Sequence, residues 1–145
     1  MALPTKLKLE IVTPDRALLL EEVDEVVVPG SQGEFGVLPG HTPLLSTLKI
    51  GELWYRQGQE KHYLAIAFGF VEVLPDRVTV LAQVGERAQE IDIARAERAK
   101  QRAEQRLAKA QPHLTQLDFD IERARVALMK SLLRLQVASR ARTRV

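Results

Sequence analysis

The chain has 145 residues, 46% of them hydrophobic, which is enough to bury the core of one ordinary domain or of a small domain with an appendage. It contains no cysteine, which excludes disulfides, thiolate catalysis and zinc sites of the cysteine type. The net charge is only +2, no stretch approaches the roughly 20 apolar residues of a membrane-spanning helix, and the first residues lack the apolar segment of a signal peptide.

Charge and composition change along the chain. Residues 1–85 carry a net charge of −4, and residues 86–145 carry a net charge of +6. All 8 glycines lie in the first part, whereas the second part is rich in alanine, arginine, glutamine and glutamate. Such a change predicts a domain boundary, which we place between residues 86 and 87.

The first half is predicted to form short β-strands. Alternating apolar and charged residues at 7–11 predict a half-buried strand, and the apolar run that ends before Pro29 predicts a second strand at 22–28. Strand patterns flank short turns at two further places, which predicts hairpins of 52–56 with 61–67 and of 69–74 with 77–82. We therefore expect an antiparallel β-sandwich or barrel at residues 1–86.

A segment rich in glycine and proline, residues 33–45 continuing to 48–51, lies between these strands. Glycine adopts backbone angles that other residues avoid and proline fixes φ, so the segment predicts a folded loop and not a helix or a long strand. Its one histidine, His41, and one carboxylate, Glu34, are too few for a metal site or an activated nucleophile.

We therefore expect a docking loop. In it, the ring of His41 hydrogen-bonds the loop backbone or fills a docking surface, and a small hydrolase built on His41 is the alternative. Glu34 is either a solvated charge or a contact with a basic partner.

The second half has the periodicity of two helices. Small residues share one face of a first helix, predicted to run from 91 to 111: Ala96, Ala99, Ala103, Leu107 and Ala110. Larger apolar residues share one face of a second helix: Leu114, Leu117, Ile121, Ala124, Leu128, Leu132 and Leu135. The short link around Pro112 predicts that the helices form an antiparallel hairpin at residues 87–145. The predicted fold class is α+β, with the β-sandwich or barrel followed by this two-helix hairpin.

Asp92 and Arg95 stand three residues apart on the first helical turn. Such a pair stabilises a helix N-terminus, and a clamp for a small anionic ligand is the alternative. The basic residues of the first helix suggest nucleic acid, but acidic residues interleave with them and aromatic residues are missing, which favours a solvated face. A basic hairpin that binds nucleic acid or acts as an adaptor stays as the second hypothesis. No glycine-rich phosphate loop occurs, so nucleotide hydrolysis by this chain is not expected.

Several motifs together resemble the epsilon subunit of bacterial F-type ATP synthases. They are Gly33-Glu34-Phe35-Gly36, Pro39-Gly40-His41 with Pro43-Leu44, the runs 69–73 and 78–82, and Asp92-x-x-Arg95-Ala96. In that family a β-sandwich on the central stalk contacts the gamma subunit and the c ring, and a helical hairpin folds down or extends along gamma. The resemblance implies a non-catalytic rotor subunit that couples the catalytic head to the proton-driven ring. It also implies a peripheral location at the cytoplasmic face of the bacterial inner membrane, reached only through the complex.

The resemblance also assigns roles to residues. Glu34, Phe35 and Gly36 match the loop that faces the c ring, and His41, Pro43 and Leu44 match positions near gamma. Asp92 and Arg95 match part of an ATP-binding motif that Lys130 and Arg134 complete. Lys130 stands where ATP-binding members have arginine, and lysine lacks the bidentate fork for phosphate.

The resemblance implies no catalytic residue, no metal, no required cofactor and no nucleic-acid partner, with ATP as a regulatory ligand. The extended hairpin is expected to contact the catalytic alpha and beta subunits and to restrain ATP hydrolysis.

Overall fold

In a computed structural model of the chain, the structure describes residues 3–109 and 115–142. Within them the chain forms seven strands, a short 3-10 helix at Ala88–Glu90 and two α-helices. The elements are β1 (Leu7–Val12), β2 (Ala17–Val23), β3 (Glu25–Gly30), β4 (Gly33–Val37), β5 (Leu44–Gln57), β6 (Glu60–Leu74), β7 (Arg77–Arg87), α1 (Ile93–Lys109) and α2 (Thr115–Arg142). They divide into two compact units, Met1–Ala88 and Gln89–Val145.

The strands of the first unit form one sheet in the order β2-β1-β7-β6-β5-β3-β4. Strands β1 and β7 pair in parallel, and the other neighbours pair antiparallel. Apolar side chains from every strand meet in one buried cluster, so the sheet must fold over on itself. The predicted β-sandwich is therefore confirmed, with one parallel pair that alternation along the chain does not reveal.

Strand β6 changes its core-facing side at a kink formed by Phe68 and Gly69. Leu64 and Ile66 are buried in the core before the kink, and Val71 and Val73 after it, so the core-facing positions change from even to odd numbers. Phe68 has a φ of 61° and Gly69 a φ of 130°, both positive. Pairing with β5 continues in one register from Leu44↔Val73 to Gln57↔Glu60. The segments 61–67 and 69–74, predicted as separate strands, are thus one strand.

The strand predicted at 22–28 is confirmed only from Glu25 onward, because the chain changes pairing partner at Asp24. Strand β2 ends at Val23 and pairs with β1, whereas β3 starts at Glu25 and pairs with β5. Between them, the backbone N–H of Asp24 donates to the carbonyl of Arg56 at 2.8 Å. Sequence periodicity also missed the start of β2. Leu18 and Leu19, two adjacent residues of this strand, are both buried and break the alternation of apolar and polar positions.

The segment predicted as one loop is only partly a loop. Residues Gly33–Val37 form β4, an edge strand that pairs with β3, and Leu44 already belongs to the 14-residue strand β5. Only residues 38–43 connect the two strands. The glycines that suggested a loop therefore lie mostly in or beside strands, where turns and close packing require them.

The helices of the second unit pack against each other. Helix α1 is roughly 25 Å long, and the six Cα–Cα steps from Lys109 to Thr115 reach at most roughly 22 Å. This link is too short to return the chain to the start of α1, so the helices are antiparallel, as predicted.

The small-residue face predicted for the first helix is confirmed at Ala96 and Ala103, which are buried. The large-residue face predicted for the second helix is wrong at Leu132, whose side chain is 46% exposed. The buried small residues of α2 are instead Ala124, Ser131 and Ala138, at seven-residue spacing, alongside Leu133 and Val137. Both helices therefore bury small side chains. Ala110 and the side chains of Leu114 and Leu117 lie outside the described residues.

Candidate interaction surfaces

Strand β4 places Glu34, Phe35 and Gly36 on two different faces. Glu34 pairs with Pro29 and Gly36 pairs with Val27. Glu34 and Gly36 are exposed. Phe35, between them, is half-buried, packs against the core and holds its ring close over Gly30. Of these three residues, Glu34 and Gly36 are thus presented to the outside of the edge strand.

The connection from β4 to β5 begins with a tight turn at Leu38-Pro39-Gly40-His41. The backbone N–H of His41 donates to the carbonyl of Leu38 at 3.2 Å, and Gly40 has a φ of 86°. Proline followed by a glycine of positive φ is the signature of a type II turn. The N–H of Gly40 also donates to the carbonyl of Pro75 at 2.7 Å, which ties this turn to the β6–β7 turn.

His41 is held by its own loop. Its Nδ1–H donates to the carbonyl of Thr42 at 2.6 Å, so the expected hydrogen bond to loop backbone is present. Pro43 and Leu44, which follow, are exposed. The two predicted gamma-contact residues after His41 therefore lie on the surface at the start of β5.

Sequence reasoning missed an apolar face next to this loop. Leu45 in β5, Phe70 in β6 and Leu81 in β7 are 71%, 54% and 53% exposed. Phe70 lies directly opposite Leu81, so their side chains share the outward face of the sheet. The available signal was the pattern at 70–73 and 78–81, where apolar residues occupy both alternating sets of positions instead of one.

A pocket of about 300 Å³ opens on the same face. Its lining is almost entirely apolar and consists of Val12, Thr13, Pro14, Gly69, Phe70, Leu81, Ala82 and Gln83. Exposed apolar patches of this kind, when contiguous, mark sites of protein interaction.

A charged cluster lies around the β5–β6 turn. Asp24 pairs with Lys6, accepts the backbone N–H of Gly58 at 2.7 Å, and has Nη1 of Arg56 at 3.8 Å. Nε of Arg56 also contacts Glu25 at 3.2 Å. The hydrogen bonds from Lys6 and from Gly58 lower the pKa of the Asp24 carboxyl below its usual value. This cluster fixes the junction of β2 and β3 to the turn.

The predicted nucleotide residues lie on the two helices. Asp92 Oδ1 accepts the backbone N–H of Arg95 at 3.0 Å, so Asp92 is the N-cap of α1, while the Arg95 side chain is exposed. Lys130 and Arg134 are half-buried, four residues apart on α2. Arg95 lies roughly 21 Å along α1 from the linked end, and Lys130 roughly 22 Å along α2. In the antiparallel hairpin, the pair Asp92 and Arg95 and the pair Lys130 and Arg134 therefore lie at similar distances from the linked end.

Among residues 3–109 and 115–142, no group of three His, Cys, Asp or Glu side chains is placed to hold a metal ion. Neither helix, over its described residues, combines the length and apolar character that crossing a membrane requires.

Comparison with known families accounts for both units. The family "ATP synthase, Delta/Epsilon chain, beta-sandwich domain" matches residues 6–88, and "ATP synthase, Delta/Epsilon chain, long alpha-helix domain" matches residues 89–139. The chain belongs to the ATP synthase delta/epsilon family. The resemblance inferred from sequence motifs is thereby confirmed, and the two matched regions meet where the structure divides into two units.

Curated relatives of this family are similar over nearly their whole length. ATP synthase epsilon chain 1 of Syntrophotalea carbinolica is 52% identical, covering 93% of this chain and 95% of the relative. The epsilon chain of Syntrophobacter fumaroxidans is 53% identical, covering 93% and 97%. That of Geobacter sulfurreducens is 48% identical, covering 94% and 96%. The ATP synthase epsilon chain is a non-catalytic subunit of its complex.

A solved structure shares the fold. A chain of the mitochondrial ATP synthase of Euglena gracilis superposes with a TM-score of 0.75 at 23% identity, covering 98% of this chain and 84% of that chain. At this identity the likeness supports the fold alone.

Proposed function

We propose that this chain is the central-stalk subunit of a proton-driven F-type ATP synthase and couples the catalytic head to the c ring. The observation that carries the proposal is the exposed apolar face of the β-sandwich at Leu45, Phe70 and Leu81, next to the His41 loop. An exposed apolar face in a member of this family is what we expect of a subunit that binds other subunits of the complex. The proposed location is the cytoplasmic face of the bacterial inner membrane, peripheral and reached through the complex.

The gamma subunit is the proposed partner of the apolar face. His41, Pro43 and Leu44, which the resemblance assigns to gamma, lead directly into Leu45. The hydrogen bonds of the turn at residues 38–41 hold this segment in place, which lowers the entropy lost on binding.

The c ring is the proposed partner of the β3–β4 turn. Glu34 and Gly36 face outward there, so they are the contact residues, and Phe35 supports them from the core side. Glu34→Lys should weaken association with the c ring in the reconstituted complex, whereas Glu60→Lys makes the same charge change at an exposed position away from this turn and should not. Wild-type coupling of proton flow to ATP hydrolysis in Glu34→Lys would contradict this contact.

Co-purification tests the proposal as a whole. The tagged full-length chain should retain the gamma subunit and the c ring from membranes of its own bacterium. Retention of neither partner would overturn the assignment to the stalk.

The helical hairpin is the proposed regulatory element. It restrains ATP hydrolysis when it extends along gamma to the catalytic alpha and beta subunits, and this requires two states of similar free energy. Small side chains at the helix interface bury less apolar area than leucines, so separating these helices costs comparatively little.

ATP is the proposed regulatory ligand of the folded hairpin. Asp92, Arg95, Lys130 and Arg134 supply the site, with three positive charges for the phosphates. A ligand that binds only the folded hairpin at 100 times its Kd would stabilise that state by about 2.7 kcal/mol. Isothermal titration calorimetry should detect ATP binding to the full chain and its loss in Arg95→Ala. Arg98→Ala removes an exposed arginine of the same helix and serves as the control. The absence of heat at millimolar ATP would reduce the motif to a helix cap.

A further inference from the structure

We propose that the outward face of the β-sandwich recognises a segment of the stalk partner that presents one large apolar side chain between two basic ones. This inference rests on the proposed docking of the face to gamma. It adds the chemistry by which the partner is recognised.

One row of side chains crosses five strands of this face. Its members are direct cross-strand neighbours in the order Leu45, Glu72, Thr79, Glu10 and Leu20. Because neighbouring strands lie about 4.8 Å apart, the Cα atoms of Glu72 and Glu10 are roughly 10 Å apart. Apolar residues thus end the row, and two carboxylates lie within it.

In the described part of the chain neither carboxylate is paired, although Lys8 and Arg77 are exposed in the adjoining row of the same face. Within the described ranges, neither Glu10 nor Glu72 has a side-chain hydrogen bond or ion pair. Both are adequately solvated while the face is open to water, since Glu72 is exposed and Glu10 half-buried. When a partner covers the apolar residues around them, each carboxylate loses water and requires a cation in return. A purely apolar partner surface would supply neither carboxylate with a cation of its own.

The neighbouring row provides the apolar anchor site. Phe70, Leu81 and Val12 are consecutive cross-strand neighbours there and all line the pocket. The pocket measures about 300 Å³, the lower end of the roughly 300–1,000 Å³ that ligand pockets occupy. It is wide open, because Phe70 and Leu81 are more than half exposed. These dimensions suit a single inserted side chain better than a cofactor that must be enclosed.

The two rows together define the partner segment that this face would bind. The pocket lies one row away from the carboxylates, so one apolar side chain can enter it while basic side chains reach Glu10 and Glu72. Apolar anchors in a pocket provide most of the affinity at such interfaces, and flanking charges set orientation and association rate.

Binding of full-length variants to the catalytic head with gamma, prepared without this chain, tests the charges. Glu10→Lys and Glu72→Lys should each raise the Kd about tenfold, and should reduce its dependence on salt. Glu60→Lys makes the same charge change at an exposed residue at the start of β6 and should leave the Kd unchanged.

The pocket has its own test. Leu81→Lys should raise the Kd by about 30-fold, since an anchor contributes about 2 kcal/mol or more. Leu3→Lys, at an exposed leucine before β1, is the control. Thermal unfolding followed by Trp54 fluorescence checks that each variant is folded, and Leu81→Ala replaces Leu81→Lys if the latter is not.

The outcomes separate the two proposals. Failure of the wild-type chain to bind the head with gamma would overturn the proposed function and this inference with it. Normal wild-type binding with Kd values unchanged in the glutamate and Leu81 variants would overturn this inference alone.

Discussion

At the junction of β2 and β3, Asp24 ties three segments of the chain together. It pairs with Lys6 ahead of β1 and accepts the N–H of Gly58 in the β5–β6 turn. These contacts stabilise the ionised carboxyl and lower its pKa, so the folded state binds a proton less readily than the unfolded chain. The stabilisation is therefore present above the ordinary pKa of aspartate and is lost as the pH falls through the lowered one.

Asp24→Asn should accordingly lower the melting temperature at about pH 7, and this effect should shrink as the pH falls below the ordinary pKa of aspartate. The measurement is thermal unfolding across this range, followed by the fluorescence of Trp54, the one tryptophan of the chain. Asp76→Asn, at an exposed aspartate of the β6–β7 turn, is the control. An Asp24→Asn effect that stays constant as the pH is lowered would contradict the electrostatic explanation.

Gly69 is required by both conformation and space. Its φ is 130°, and a Cβ built on it would lie 2.0 Å from the carbonyl oxygen of Leu81 in the paired strand. Gly40 has a φ of 86° with open space around it, so alanine there meets only backbone strain. Gly40→Ala should cost about 1–2 kcal/mol, and Gly69→Ala should cost more, because the β6–β7 pairing must also shift. Urea unfolding monitored at Trp54 compares them, and equal losses would contradict the steric argument.

At the scale of the helices, substitutions at Asp92 test its structural role as a helix cap separately from any role in ligand binding. Its carboxylate caps α1 by accepting the N–H of Arg95. Asp92→Ala should destabilise the hairpin by about 1 kcal/mol, whereas Asp92→Asn keeps the acceptor and should preserve stability. Far-UV circular dichroism during thermal unfolding measures this difference. If Asp92→Ala melts like the wild type, the cap contributes nothing to stability.

The elements also show where periodicity predicts structure and where it fails. Strand β1 was predicted because one of its faces is buried and the other solvated, and both hairpins around β6 were predicted because strand patterns flank short turns. Strand β2 was missed because two adjacent leucines are both buried. In α2, the spacing of the leucines suggested that Leu132 is buried, but small residues occupy the interface with α1 instead. Two helices that approach closely favour small side chains over large ones at their interface.

For the whole molecule, the first unit should fold without the second. Its buried cluster draws only on residues from Leu7 to Ala82. A chain truncated after Ala88 should therefore melt cooperatively by Trp54 fluorescence and still assemble with gamma. Under the proposed function it should also raise ATP hydrolysis by the complex several-fold. Truncation that leaves hydrolysis unchanged would remove the inhibitory role and leave the coupling role standing.

The sequence by itself determined the two-part organisation, the strand and helix classes, and family membership. Composition, periodicity and the glycine-proline motif around His41 are local properties, and local properties can be recognised in the chain directly. The sequence also indicated the Asp92 cap and the local hydrogen bond of His41, since both partners lie within three residues.

Only the tertiary structure decided which side chains share a surface. The parallel β1–β7 pair and the kink at Phe68 bring Val12, Phe70 and Leu81 to one pocket, and place Glu10 and Glu72 in one row. These residues come from three separate strands. Their proximity depends on the order and register of pairing, which are fixed by burying the whole core at once and not by any local pattern.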